Sequence, residues 1–197
     1  TTGTSRMLFT MNLDGTNLQQ ITYHPHNDYV QTILRDGRIL MLSQQIYPER
    51  GKIKTLAMRP NGTKAEIFYT ANKKGRADVR FYETNTGTIY FTETEDGKPE
   101  KRNLVSIHQD RPLNTKTNYS ENTEGDFFSL FPKTEDELFV SYQPSSAQNI
   151  GLYTFSTDKK TIEESLLSDP DYHYLDPVLI EPYKRPRNLP HELKYDF

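Results

Sequence analysis

The segment Ile39-Leu-Met-Leu-Ser43 recurs along the chain, and its recurrence decides the fold. It follows the turn pair Asp36-Gly37 and has the length and apolar character of a short β-strand. The later copies follow turns of their own and start 50 and then 49 residues after the copy before, at Ile89-Tyr-Phe-Thr-Glu93 and Leu138-Phe-Val-Ser-Tyr142. A strand that returns at a nearly constant interval predicts a repeat architecture.

Three other strand-like series recur at the same interval. One opens with an acidic residue in every copy, at Asp28, Asp78, Asp126 and Asp176. A second starts at Leu8, Thr55, Leu104 and Leu152, and a short third at Leu18, Ala65, Asn114 and Ile162. Four strands per unit and a period of about 48 residues are typical of the blades of a β-propeller.

We label the strands of a blade a, for the Asp series, then b, c and d from the centre of the ring outward. The sequence predicts an all-β chain whose four-stranded antiparallel blades occupy residues 1–180. Strands c and d lie in 1–27, complete blades in 28–73, 74–123 and 124–170, and a further strand a in 171–180. The prolines of the stretch 181–197 give it an extended path, so we expect this Pro-rich tail to leave the propeller and pack along another surface.

Composition excludes several classes of protein. Among 197 residues, 24 are Lys or Arg and 27 are Asp or Glu, and the signs are interspersed, so we expect no nucleic-acid partner. The sequence contains no Cys, which excludes disulfides, thiolate nucleophiles, Cys-ligated zinc and covalently attached c-type haem within this chain. No apolar run approaches the roughly 20 residues that a membrane helix needs, so we expect no membrane span.

The first unit resembles a known propeller repeat. The TolB-type (WD-like) repeat is similar to three stretches of it, Leu8-Phe-Thr-Met-Asn-Leu-Asp-Gly-Thr-Asn-Leu-Gln-Gln-Ile-Thr22, His24-Pro-His-Asn-Asp28 and Arg35-Asp-Gly-Arg-Ile39. Later units keep the strand phase and lose the turn residues. The resemblance implies a docking platform in a bacterial periplasmic or secreted protein, with a ring of six or more blades.

Two arrangements of the ring remain open. A closed four-bladed ring would take its missing strand b from His191-Glu-Leu-Lys-Tyr-Asp-Phe197, placed beside Leu8–Asn12. The other arrangement is part of a six- to eight-bladed ring whose remaining blades lie in another chain or domain. The TolB resemblance favours the partial ring.

A second resemblance concerns the end of the chain. The run Asp176-Pro-Val-Leu-Ile-Glu-Pro-Tyr-Lys-Arg-Pro-Arg-Asn-Leu-Pro190 is similar to the segment that leaves the propeller in multihaem proteins related to the hydrazine synthase alpha subunit. In those proteins the propeller lies beside haem domains. Because the Cys-x-x-Cys-His attachment motif is absent, this chain is expected to hold no cofactor, and any haem would belong to a partner domain or chain.

Two sets of residues are candidates for binding. The Asp series could ring one end of a central channel and bind a cation, although an Asp that accepts backbone N–H groups from its own turn is the simpler interpretation. A second set lies on the d–a loops, which propellers often use to bind ligands. The predicted binding face comprises His24, His26, Asp28, Tyr29, Lys73, Arg76, Asp78, Asp126, His173 and Asp176.

Each loop set also has a plainer interpretation. His24 and His26 beside Asp28 form a pattern that could hold a transition metal, but two histidines around Pro25 equally make an ordinary turn, so no metal site is predicted. Lys73 and Arg76 could contact an anionic partner, and an ordinary charged loop is the plainer interpretation.

Catalytic motifs are absent from the sequence. It contains no Gly-x-Ser-x-Gly elbow, no His-Glu-x-x-His helix and no glycine-rich phosphate loop, so no catalytic residue is predicted. The leading hypothesis is a non-catalytic propeller segment that docks a partner protein or domain. The alternatives are the propeller portion of a multihaem redox enzyme and, third, the gating propeller of a serine peptidase. Because one fold hosts many functions, the fold does not decide between them.

Overall fold

A computed structural model describes residues 5–48, 50–71, 80–95, 98–121, 123–182 and 184–189. The regular structure assigned in these ranges consists of strands, which start and end as follows: β1 Phe9–Thr10, β2 Gln19–Gln20, β3 Asn27–Ile33, β4 Ile39–Gln44, β5 Ile53–Met58, β6 Glu66–Tyr69, β7 Tyr82–Glu83, β8 Thr88–Glu95, β9 Lys98–His108, β10 Thr117–Asn118, β11 Gly125–Pro132, β12 Glu137–Pro144, β13 Gly151–Ser156 and β14 Thr161–Leu167.

The strands form antiparallel sheets in chain order. Three sheets have four strands each, β3-β4-β5-β6, β7-β8-β9-β10 and β11-β12-β13-β14, and β1 pairs with β2 alone. The predicted all-β class with four-stranded antiparallel sheets is therefore confirmed, and such meanders are typical of propeller blades. Within the described ranges the chain contains no helix with the length and hydropathy of a membrane span.

The chain divides into two compact units. The first contains Thr1–Thr70 and Lys184–Phe197, and the second contains Ala71–Tyr183. Strands β1–β6 thus belong to the first unit and β7–β14 to the second.

In the first unit the core is built around β4. Every residue from Ile39 to Ser43 is buried, because β4 lies inside its sheet and both of its faces are covered. The pair β1–β2 is joined to this core through Ile21, which packs with Met41 and Met58. Gly62 fits at this contact because it adopts a φ of +80° and a Cβ there would lie 2.2 Å from the carbonyl oxygen of Ile21.

An aromatic cluster fills the core of the second unit. Phe127 of β11 and Phe155 of β13 are fully buried and meet edge to face, with ring centroids 5.6 Å apart. Leu104, Leu138 and Val140 belong to the same cluster. Residues from β9 therefore pack against the sheet that starts at β11, and this packing holds two blades together within the unit.

The segment expected as a further strand a does not form a strand. Over 176–180 the backbone does not pair with a neighbouring strand, because Asp176 has a left-handed conformation with a φ of 57° and Pro177 has no N–H to donate. Asp176 instead donates its N–H to the Ser129 hydroxyl at 2.8 Å and pairs with Arg80, whose Nη2 lies 2.8 Å from its carboxylate. The segment is thus held by a side chain of β11 and by an ion pair.

The described part of the tail returns to the first unit. Arg187 donates its N–H to the carbonyl oxygen of Arg35 at 2.9 Å, in the turn between β3 and β4. Gly37 in that turn has a φ of +92°, and a Cβ there would lie 2.1 Å from the Arg187 carbonyl oxygen. The turn therefore requires glycine both for its conformation and for contact with the tail. The closing strand considered for 191–197 lies outside the described residues.

Candidate binding face

The d–a and b–c loops of a blade lie at the same end of its sheet, because successive strands run in opposite directions. In the first complete blade Asn27, at the start of β3, pairs with Gln44, at the end of β4. The loop that follows β4 reaches back to the loop that precedes β3, where the Ile46 N–H donates to Nδ1 of His26 at 3.4 Å. His26 thus joins the two loops of this end.

His173 makes a similar contact in the last blade, but from the loop that follows its outer strand β14. Nδ1 of His173 accepts the Ile150 N–H at 3.0 Å, and the Tyr174 N–H donates to the Ile150 carbonyl oxygen at 2.9 Å. Asn149 adds a side-chain donor to the carbonyl oxygen of Asp169 at 3.2 Å. An Nδ1 that accepts a backbone N–H carries no proton itself, so both His26 and His173 have their ring proton on Nε2 when neutral.

His24 and Asp28 meet beneath this loop. The Asp28 side chain is 0% exposed, and its Oδ2 lies 3.3 Å from Nε2 of His24, whose ring centroid is 4.9 Å from that of His26. The backbone N–H of Asp28 donates to the Arg6 carbonyl oxygen at 3.0 Å, and the Arg6 guanidinium lies 5.2 Å from the ring centroid of Tyr29. Four of the predicted residues are therefore brought together at the entrance of β3.

The other members of the Asp series have different surroundings. Asp126 accepts the Arg102 N–H at 2.8 Å, and Lys101 Nζ lies 4.0 Å from the same oxygen. The acceptor role expected of the series is present at Asp126, but the donor belongs to β9 of the preceding sheet rather than to its own turn. Asp176 pairs with Arg80, as described above. Lys73, Arg76 and Asp78 lie outside the described residues.

One polar residue of this site was not predicted from the sequence. Ser43 is the residue directly opposite Asp28 in the β3–β4 pair, and it is buried. In the sequence, the only indication of this contact is that the series containing Asp28 and the series containing Ser43 are predicted to be neighbouring strands. In the parts of the chain that the structure describes, no group of three His, Cys, Asp or Glu side chains is placed to hold a metal ion.

Large aromatic side chains are exposed on the same kind of loop. In the first unit Tyr23, after β2, is 77% exposed and Tyr47, after β4, is 76% exposed. In the second unit Tyr172, after β14, is 67% exposed. The Tyr23 hydroxyl donates to the Gln20 carbonyl oxygen at 2.7 Å, which ties this ring to the end of β2.

The chain has structural relatives among solved proteins. No family model matches the chain, and no curated protein matches it. Among solved structures it is similar to the hydrazine synthase of Kuenenia stuttgartiensis, with a TM-score of 0.65 and 21% identity over 78% of this chain. The match covers 21% of the other chain, so this chain spans about a fifth of that length. At this identity the similarity shows a shared propeller-like fold.

Proposed function

We propose that this chain is a non-catalytic β-propeller segment that docks a partner protein or domain through its d–a and b–c loops. The observation that carries the proposal is the exposure of Tyr23, Tyr47 and Tyr172 on these loops. Tyrosine is enriched in protein interfaces because it offers a large contact area together with a hydroxyl for hydrogen bonding.

The loops that present these tyrosines are tied to the blades in advance. Ile46, next to Tyr47, is bonded to His26, and His173, next to Tyr172, is bonded to Ile150. A loop that is already ordered loses little conformational entropy when a partner binds, so more of the contact energy appears as affinity. Both histidines would therefore contribute to docking by ordering these loops, without contacting the partner themselves.

The alternative function is the propeller portion of a redox enzyme. The observation in its favour is the shared fold with hydrazine synthase over 78% of this chain, together with the resemblance of the run Asp176–Pro190 to multihaem proteins of that type. In this version the partner that docks on the loops is a haem domain or chain. This chain would position that haem domain or chain. It would not attach a c-type haem itself, because it has no Cys.

We further propose a bacterial periplasmic or extracellular location, which is supported by the resemblance of Leu8–Thr22 to TolB-type repeats. Fractionation of source cells with an antibody to this chain tests the location. We expect the chain in the osmotic-shock or secreted fraction. Recovery with cytoplasmic marker proteins would contradict this proposal and would leave the docking proposal standing.

Native mass spectrometry of the protein purified from its source tests the docking proposal. We expect a complex in which this chain is joined by a second polypeptide or by further propeller blades. The double substitution Tyr23→Ala and Tyr47→Ala should reduce the complex at least tenfold, because truncation of an interface hot spot costs about 2 kcal/mol or more. Leu13→Ala is the matched control, since Leu13 is exposed at the opposite end of its blade.

The same spectra separate the two functions. A haem mass on the second polypeptide, with a Soret band in the purified complex, would favour the redox assembly. A second polypeptide without haem would favour a binding platform. A species at the 23.0 kDa of the chain alone, in the wild-type protein and all variants, would contradict both.

A further inference from the structure

The entrance of β3 contains buried polar atoms without partners. The Asp28 side chain is 0% exposed and Ser43 is 2% exposed. Both carboxylate oxygens of Asp28, the Ser43 hydroxyl and Nδ1 of His24 make no hydrogen bond to any described residue. Because buried polar atoms in proteins almost always have partners, each of these atoms calls for an explanation.

Strand pairing brings these atoms together. Asp28 and Ser43 are directly opposite in the antiparallel β3–β4 pair, so their side chains lie on the same face of the sheet with Cβ atoms about 4.5–5.5 Å apart. Nε2 of His24 lies 3.3 Å from Oδ2 of Asp28 on the solvent side, where the His24 side chain is 35% exposed. The three residues therefore bring polar atoms without partners into one largely buried region.

An ionised carboxylate in such a space requires a positive charge or hydrogen-bond donors. The Arg6 guanidinium makes no hydrogen bond to Asp28 and lies 5.2 Å from the ring centroid of Tyr29. His24 is close, but its Nε2 is not aligned for a hydrogen bond with either oxygen of Asp28. A donor or a cation is still needed between Asp28 and Ser43.

The equivalent positions in the repeat have such partners. Asp126 accepts the Arg102 N–H at 2.8 Å, and Asp176 pairs with Arg80 at 2.8 Å. The protein itself therefore satisfies the carboxylate at these two positions of the series. Of the three members that the structure describes, Asp28 is the one whose carboxylate oxygens have no donor and whose side chain is fully buried.

We propose that Asp28 and Ser43 bind a single alkali-metal cation, which His24 covers on the solvent side. One carboxylate balances one positive charge, and carboxylate and hydroxyl oxygens are the hard ligands that such cations prefer. The cation would replace the donor that Arg102 supplies to Asp126. Bound there, it stabilises the start of β3 and the loop that carries His26.

Thermal unfolding of the whole chain in different salts tests the proposal. At equal ionic strength, the melting temperature in KCl or NaCl should exceed that in N-methyl-D-glucamine chloride by about 4 °C and should saturate with cation concentration. Asp28→Asn should abolish the difference, and Ser43→Ala should reduce it. Asp126→Asn is the matched control at the equivalent position and should keep the full difference.

A second measurement does not depend on the folding of a variant. Crystals of the wild-type protein grown with thallium(I) acetate should show an anomalous peak within about 3 Å of both Asp28 and Ser43. Equal melting temperatures in the three salts, or a water molecule in place of the anomalous peak, would overturn the proposal. In that case a water molecule satisfies the carboxylate.

Discussion

Nδ1 of His173 accepts the backbone N–H of Ile150 at 3.0 Å. These residues are 23 positions apart, in the loop after β14 and in the loop between β12 and β13. His26 and Ile46 form a contact of the same type in the first complete blade, where the histidine lies on the loop before β3. A histidine on a d–a loop thus holds a b–c loop in two blades whose loop sequences differ.

The first prediction concerns this contact. His173→Ala leaves the Ile150 N–H without its acceptor, which should lower the free energy of unfolding by about 1 kcal/mol. Hydrogen exchange at the Ile150 amide should become at least five times faster. His26→Ala is the control and should change exchange at Ile46 while Ile150 stays protected. Unchanged exchange at Ile150 in His173→Ala would show that other contacts hold the loop.

The second prediction concerns the turn that receives the tail. Gly37→Ala forces a side chain into a left-handed position and against the Arg187 carbonyl oxygen, 2.1 Å away, and should lower the free energy of unfolding by about 2–3 kcal/mol. Gly15→Ala is the matched control, with a φ of +82° and no atom within 4 Å of the new Cβ, and should lose about 1 kcal/mol. Equal losses in urea unfolding would contradict the contact.

The third prediction concerns the aromatic core of the second unit. Phe155 is fully buried and meets Phe127 and Tyr119 edge to face, so Phe155→Ala should destabilise the fold by about 3–5 kcal/mol. Phe9→Ala removes the same side chain from an exposed position in β1 and should cost less than about 1 kcal/mol. Denaturant midpoints of the two variants give the comparison, and similar midpoints would contradict the assigned core.

The fourth prediction concerns alkaline pH. Burial, reinforced by the nearby Tyr119, raises the pKa of Tyr90 above its ordinary value of 10.0, and burial likewise raises the pKa of Tyr142. The folded state therefore keeps protons that the unfolded chain releases, so stability is complete below pH 10 and falls as the pH rises above it. Tyr90→Phe should weaken this fall in urea midpoints between pH 8 and pH 11, and an unchanged fall in this variant would contradict the account.

The repeat pattern was sufficient to predict the sheets. The series through Ile39, Ile89 and Leu138 falls on β4, β8 and β12, since strands that are buried inside a sheet are rich in apolar residues in every blade. The repeat interval alone predicted a strand at 176–180, where none forms. Asp176 has a left-handed backbone and Pro177 has no N–H to donate, so the segment is held by the contacts of Asp176 with Ser129 and Arg80. A periodic pattern reports burial and does not report backbone conformation.

The site was predicted only in part for a related reason. The sequence alone predicted the cluster of His24, His26, Asp28 and Tyr29, because these residues are close to one another in the chain. Ser43 joins it through strand register, and the donor to Asp126 comes from the preceding sheet. Contacts that depend on pairing between distant segments have no local sequence signal.

Photo-cross-linking in the source cells is the most direct test of the docking claim. A benzophenone amino acid placed at Tyr47 or Tyr172 should cross-link to one defined polypeptide, identified by mass spectrometry, because both side chains are exposed on d–a or b–c loops. The same probe at Leu13, on the opposite end of its blade, should give no such product. Equal cross-linking at Leu13, or no product at the two tyrosine positions, would contradict docking through these loops.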